Sequence, residues 1–192
     1  CVIKVSRNRE LYTAGEYPVP AYQATTLSKY DSAGTQIWTK TIENPLLPAQ
    51  YLGLITSSIT EDSLGNVIIA GKYGGKYMLY NADSAGNFLW IKKSNASAFI
   101  NELCAEVNTS NDLMLAGDFR NEFDIDFGPA VHTVGDSGKY AFFLMKYNYC
   151  GNNFTFNYNA CDSLVLPDTT LYASANYVAE YLDVTNCDSN LF

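Results

Sequence analysis

The sequence predicts an all-β fold assembled from repeated four-stranded antiparallel sheets, and three observations carry that prediction. An apolar strand ending in Ala-Gly and then an aromatic occurs three times, at Leu11–Tyr17, Val67–Tyr73 and Leu113–Phe119, with steps of 56 and 46 residues between the glycines. Asp-Ser-Ala-Gly followed by a Trp-bearing strand occurs twice, at Asp31–Gly34 with Trp38 and at Asp83–Gly86 with Trp90, a step of 52. The two patterns alternate along the chain, and helical periodicity is absent.

The elements follow in order. Cys1-Val2-Ile3-Lys4-Val5 reads as a strand already under way, so the chain is expected to be a fragment of a longer protein. Each Asp followed closely by Gly, between runs of aromatic and β-branched residues, is tight-hairpin chemistry. The Asp side chain hydrogen-bonds the turn and Gly supplies positive φ. Asp62-Ser63-Leu64-Gly65-Asn66 does this between strands at Ile55–Thr60 and Val67–Ala70. The best-preserved unit has four strands, at about 53–60, 66–73, 76–82 and 87–93. Ala96–Val107 has the length of a short helix, but its Asn and Ser content argues against one. Tyr147-Asn148-Tyr149-Cys150-Gly151 is a degenerate third copy of Tyr30–Gly34 without a following Trp.

Repeats of this length, each with four short strands, are the pattern of β-propeller blades. One such sheet cannot bury both faces alone, so neighbours must stack. Val67-Ile68-Ile69-Ala70-Gly71 is apolar on both faces, as a strand between two other sheets should be. A plain β-sandwich is the alternative, and it predicts irregular strands and no repeat. About three blades are legible, fewer than the roughly 4–8 of a closed propeller. The expected region is therefore a partial or open propeller over residues 1–158. Past Lys146 the chain has no Lys or Arg, and Cys161-Asp162-Ser163 recurs as Cys187-Asp188-Ser189. Residues 159–192 are expected to open a second small β-module, cut short.

The composition restricts function. Of 192 residues, 47% are apolar and 14% aromatic, enough for a real core, while 17% are charged and 18 are Asn. Twelve basic against 20 acidic residues leave a formal charge of −8. No basic stripe exists to release counterions, so nucleic-acid binding is not expected. The longest apolar runs, such as Phe142–Met145, fall far short of the roughly 20 residues of a membrane helix, so membrane insertion is not expected.

Leu27-Ser28-Lys29-Tyr30-Asp31-Ser32-Ala33-Gly34 with Trp38, followed by Asp62-Ser63-Leu64-Gly65-Asn66 and Val67–Tyr73, resembles the SBBP-type bacterial β-propeller repeat. In that family a K-Y-D-x-x-G-x-x-x-W strand pair precedes a D-x-x-G-N-x-Y-x-x-G pair. Residues 118–129 resemble the variable insertion before a blade's third strand. The Cys-Asp-Ser pair resembles C-terminal modules of proteins exported by the type IX pathway. The resemblance implies a secreted or cell-surface scaffold or adhesion module that binds protein or glycan and is not an enzyme. The alternative is an accessory propeller of a secreted hydrolase whose catalytic domain lies outside this chain.

Few residues suggest chemistry. Tyr73, Tyr77 and Tyr80, beside Gly74-Gly75, are the candidate protein or glycan contacts, because the Gly pair exposes its surroundings. Trp38 and Trp90 sit at matched repeat positions, which favours packing over sugar stacking. Asp118, Asp124 and Asp126 form an acidic cluster that could bind calcium, an ion that takes several loop oxygens; ion pairing or a solvated edge is the competing reading, and no other cofactor is expected. His132, Asp136 and Ser137 are close in sequence, but a triad must converge in space and no nucleophile elbow is present. Of five cysteines, Cys161 and Cys187 are the natural disulfide of an exported chain, with Cys150–Cys161 competing.

Overall fold

The computed structural model describes residues 1–19, 22–42, 54–73, 75–94, 99–124, 133–148, 153–159, 163–165, 170–172 and 176–182. Among them the protein is all-β, with no helix. Strands are numbered in chain order. β1 (Val2–Val5), β2 (Leu11–Val19), β3 (Tyr22–Tyr30) and β4 (Gln36–Ile42) form a first antiparallel meander. β5 (Ile55–Glu61), β6 (Val67–Tyr73), β7 (Lys76–Ala82) and β8 (Phe88–Lys93) form a second in the same order. The third begins with β9 (Phe99–Val107) and β10 (Asp112–Arg120). A two-stranded hairpin follows, β11 (Phe123–Asp124) with β12 (Thr133–Val134), at the place of the expected insertion. The sheet resumes with β13 (Tyr140–Asn148) and β14 (Asn153–Asn159). After the short pair β15 (Ser163–Val165) and β16 (Thr170–Tyr172), β17 (Asn176–Leu182) adds to β14. Strand pairing thus runs through the boundary expected at 158/159. The segment that could have passed for a helix is largely β9, whose alternating burial from Leu103 to Val107 fits a strand with one covered face.

Two apolar clusters stack the sheets. Tyr12, Ala14, Leu27 and Ile42 of the first sheet meet Ile59, Val67, Ile69, Met78, Tyr80 and Ala82 of the second. Ile68, Ala70, Tyr77 and Leu79, on the other face of the second sheet, meet Leu103, Leu113, Leu115, Phe143 and Met145 of the third. Odd and even residues of β6 therefore point into different cores, and its first five residues are all buried. The run Val67–Gly71, apolar on both faces, is the sequence signature of that middle position.

The repeat extends to the backbone. The turns Asp31–Thr35, Asp62–Asn66 and Asp83–Asn87 share one hydrogen-bond pattern, in which the Asp Oδ1 accepts from the amides two and four residues on. In each, the amide of the first residue donates to the carbonyl of the fifth, and the positive-φ Gly donates back to the first carbonyl. Two further turns copy this without Gly. Ser6–Glu10 uses the Ser6 hydroxyl with Arg9 at φ 62°, and Asn108–Asp112 uses the Asn108 amide oxygen with Asn111 at φ 66°. The first hairpin of each of the three large sheets thus carries one turn geometry.

Register repeats as well. Trp38 pairs with Lys29 and Trp90 with Asn81, and the residue before each Trp is an extra, bulged one, Ile37 and Leu89. Each indole packs on the core that its own sheet shares with the next. At Gly71 and Gly117 the adjacent edge strand bulges, and its backbone comes too close for a side chain. A Cβ would strike the Ile55 carbonyl in one case and lie 2.6 Å from the Glu102 carbonyl oxygen in the other. Gly15 likewise faces Cys1, the residue before β1, with more room, its Cα 3.3 Å from the Cβ position.

Candidate binding surface

Exposure along the stack identifies the surface available for binding. In β7 the last six residues are buried. In the matching strand of the third sheet, β13, Ala141, Phe143 and Met145 are buried while Tyr140, Phe142 and Leu144 are exposed. The contrast is sharpest at one pair. Tyr77 lies opposite Lys72, one residue after Gly71, and is 0% exposed; Phe142 lies opposite Asp118, one residue after Gly117, and is 70% exposed. Leu79 opposite Ala70 and Leu144 opposite Ala116 repeat the relation. The outward face of the third sheet therefore presents the residues that the second sheet buries.

That face holds a depression of about 300 Å³ lined by Cys104, Ala105, Glu106, Met114, Ala116 and Leu144. Its floor is apolar because Met114 and Ala116 occupy the positions of Ile68 and Ala70. Its rim is charged: Glu106 pairs with Lys4 at 2.5 Å, and Lys146 with Asp112 at 2.9 Å. Hydrogen bonding from Lys146 holds the Asp112 carboxyl below the usual range; burial opposes this, and the Asn108 amide adds to it. An apolar floor with a polar rim is the composition of a contact surface. The Phe142–Met145 run carried this signal in the sequence, but only alternating burial separates its two faces.

The other expected site residues are dispersed. Tyr73 is at the edge of exposure at the β6–β7 turn, whereas Tyr77 and Tyr80 are buried, one in each core. The expectation that these three form a contact surface is corrected: β7 is an interior strand of the middle sheet, so its tyrosines on both faces are packing residues. Trp38 and Trp90 are partly buried against the cores, as packing predicts. Asp118 accepts from Asn101 Nδ2 at 2.6 Å and the Glu102 amide at 3.1 Å. Asp124 is fully buried in the inserted hairpin, and Asp126 lies outside the described residues. No group of three or more His, Cys, Asp or Glu side chains positioned for a metal occurs among the described residues. Asp136 pairs with Lys139 at 3.4 Å, and His132 lies outside the described residues. Cys1 and Cys104 are free and exposed; Cys150, Cys161 and Cys187 lie outside the described residues.

One buried polar network joins the first two sheets. Lys29 pairs with Glu10 at 2.8 Å, lies over the Tyr12 ring and donates to the Ser84 carbonyl at 3.3 Å. Burial pulls the Lys29 pKa down, but hydrogen bonds to Glu10 and Tyr12 and their charges outweigh it, and the net shift is upward. Burial raises Tyr12 above a normal phenol despite Lys29. These shifts have structural causes and lie in the inter-sheet seam. A scan against protein-family models and a search of curated proteins each find no match to this chain.

Proposed function

We propose that the chain is a non-catalytic extracellular scaffold and interaction module, built on stacked blades of the β-propeller type and resembling the SBBP repeat of exported bacterial proteins. The observation that supports the reading is the burial of both faces of β6 between two sheets of matching register. Stacked repeats of this kind form a rigid support whose terminal faces and loops are free to meet partners. The partner-facing element is the outward face of the third sheet, with Phe142 and Leu144 at its centre. The ligand class is protein or glycan.

The test is a glycan array and surface-protein panel probed with the purified chain, run beside ester, peptide and glycoside turnover assays. Binding without turnover, weakened by Phe142→Asp, is the expected result. Turnover by the chain itself overturns the reading.

A further inference from the structure

We propose that the seam between the second and third sheets binds one buried water, held by the side-chain oxygens of Asn81 and Asn66 where the other sheets place a lysine ammonium.

One register position distinguishes the middle sheet from its neighbours. Lys29 lies opposite Tyr12, Asn81 opposite Ile68 and Lys146 opposite Met114, at the same step along the strand from the partner of the repeat's glycine. The two lysines each pair with an acid at the last position of their own sheet's first turn. Lys29 meets Glu10 at 2.8 Å, and Lys146 meets Asp112 at 2.9 Å. Lys29 also donates to the Ser84 carbonyl of the neighbouring sheet, so its ammonium lies in the seam. In the middle sheet both members of the pair are replaced. Asn66 ends the turn, and Asn81 stands in the lysine's place.

Asn81 is 2% exposed, on the side of β7 that carries Tyr77 and Leu79 into the core shared with the third sheet. Its Oδ1 has no hydrogen-bond partner among the described residues. Asn66 directs its Nδ2 to Asp62 Oδ2 at 2.8 Å, so what it offers at the Glu10 position is its own Oδ1. Two acceptors cannot satisfy each other, and a buried acceptor left unpaired is costly. A donor from outside the pair removes that cost. Asparagine is shorter than lysine, and the room that an ammonium takes is room for one water.

Charge decides between a water and a cation. Glu10 and Asp112 balance the lysines, whereas Asn66 is neutral. The Asp62 carboxylate of the same turn already accepts three hydrogen bonds within it. A buried cation without a counter-charge costs far more than a buried water. Acid and base were therefore lost together, and the occupant that matches what remains is neutral.

A crystal structure of the chain, grown without ammonium and at a resolution that shows ordered solvent, tests this. One water peak within hydrogen-bond distance of both Asn81 Oδ1 and Asn66 Oδ1 is the expected result. No peak there overturns the proposal. So does a peak that a rubidium soak turns into an anomalous scatterer, because that marks a cation site. Urea unfolding of two variants tests it in solution. Asn81→Leu keeps the volume but displaces the water, and is expected to lower the folding equilibrium constant about tenfold. A rise instead would mean that Oδ1 stood bare, and would overturn the proposal. Asn81→Lys combined with Asn66→Asp rebuilds the pair of the other two sheets. That double variant is expected to unfold at a higher midpoint than Asn81→Leu and to show no water peak. A peak that persists in it is held by other groups, and equally overturns the proposal.

Discussion

The Ser58 hydroxyl satisfies both backbone groups of Ala105, donating to its carbonyl at 2.9 Å and accepting from its amide at 3.0 Å. Two residues on, Thr60 Oγ1 accepts from the Val107 amide at 3.1 Å. Both pairs join β5 to β9, edge strands of different sheets. An edge strand leaves alternate backbone groups unpaired, a liability when it is covered. Side chains from the neighbouring sheet take the place of the missing strand.

Ser58→Ala is therefore expected to cost about 1–3 kcal/mol, because two backbone groups lose their partner in a partly buried seam. Ser58→Thr keeps the hydroxyl and is expected to cost less. Urea midpoints at constant slope measure both. An unchanged midpoint for Ser58→Ala means that water satisfies those groups and the seam is not closed.

The glycines that end the repeat motif give a graded series. Adding a methyl to Gly71 or Gly117 drives it into a first-strand backbone that cannot move without breaking the sheet. Gly71→Ala and Gly117→Ala are expected to cost about 1–3 kcal/mol each, as overpacking does. Gly15→Ala meets its nearest atom at 3.3 Å and is expected to be the mildest of the three. Thermal unfolding of the three variants ranks them, and Gly15→Ala as the worst would refute the shared-geometry account.

The five-residue turns predict opposite outcomes at two equivalent positions. Arg9 holds a left-handed conformation that costs a non-Gly residue about 1–2 kcal/mol. Arg9→Gly relieves it, less the greater chain entropy that Gly loses, for a net gain of up to about 1 kcal/mol. Asn111 is left-handed too, but Asn tolerates that region and its Oδ1 accepts from the Ser63 amide of the neighbouring sheet at 2.7 Å. Asn111→Gly is expected to destabilise. Melting temperatures that move in opposite directions support the assignment.

These turns also mark where sequence reasoning reached and where it stopped. The turns at Asp31, Asp62 and Asp83 were legible because Asp and Gly both announce themselves. Those at Ser6 and Asn108 were not, since Ser or Asn replaces the Asp and Arg9 or Asn111 stands where Gly is expected; only the 56- and 46-residue spacing from the legible turn would have pointed to them. The middle sheet was readable from the two-sided apolarity of Val67–Gly71. The outward face of the third sheet was not, because Phe142-Phe143-Leu144-Met145 is uniformly apolar and its two sides differ only in whether another sheet lies against them. The same limit misplaced Tyr77 and Tyr80. An aromatic next to a Gly pair reads as exposed until the strand it begins is seen to run between two sheets.

Stability is expected to fall at both ends of the pH scale, for separable reasons. Asp83 is partly desolvated, which raises its pKa, but the Asn87 amide and side chain, the Ala85 amide and the Lys40 charge outweigh this and leave it lowered. Asp112 is lowered chiefly by Lys146. A carboxyl with a depressed folded pKa contributes stability above its unfolded value of about 3.9, and that contribution is lost as pH falls through the folded value. The acid limb therefore begins below about pH 4, and Asp112→Asn flattens it. Lys29 and Tyr12 are both raised. Their contributions are complete below the unfolded values of about 10 and are lost as pH climbs through the folded ones. The alkaline limb therefore belongs to the seam between the first two sheets, and Tyr12→Phe, which removes the phenol but keeps the ring, is expected to shrink it while leaving the acid limb alone. Urea unfolding across the pH range measures both limbs, and an alkaline limb untouched by Tyr12→Phe together with Lys29→Met would place its origin outside that seam.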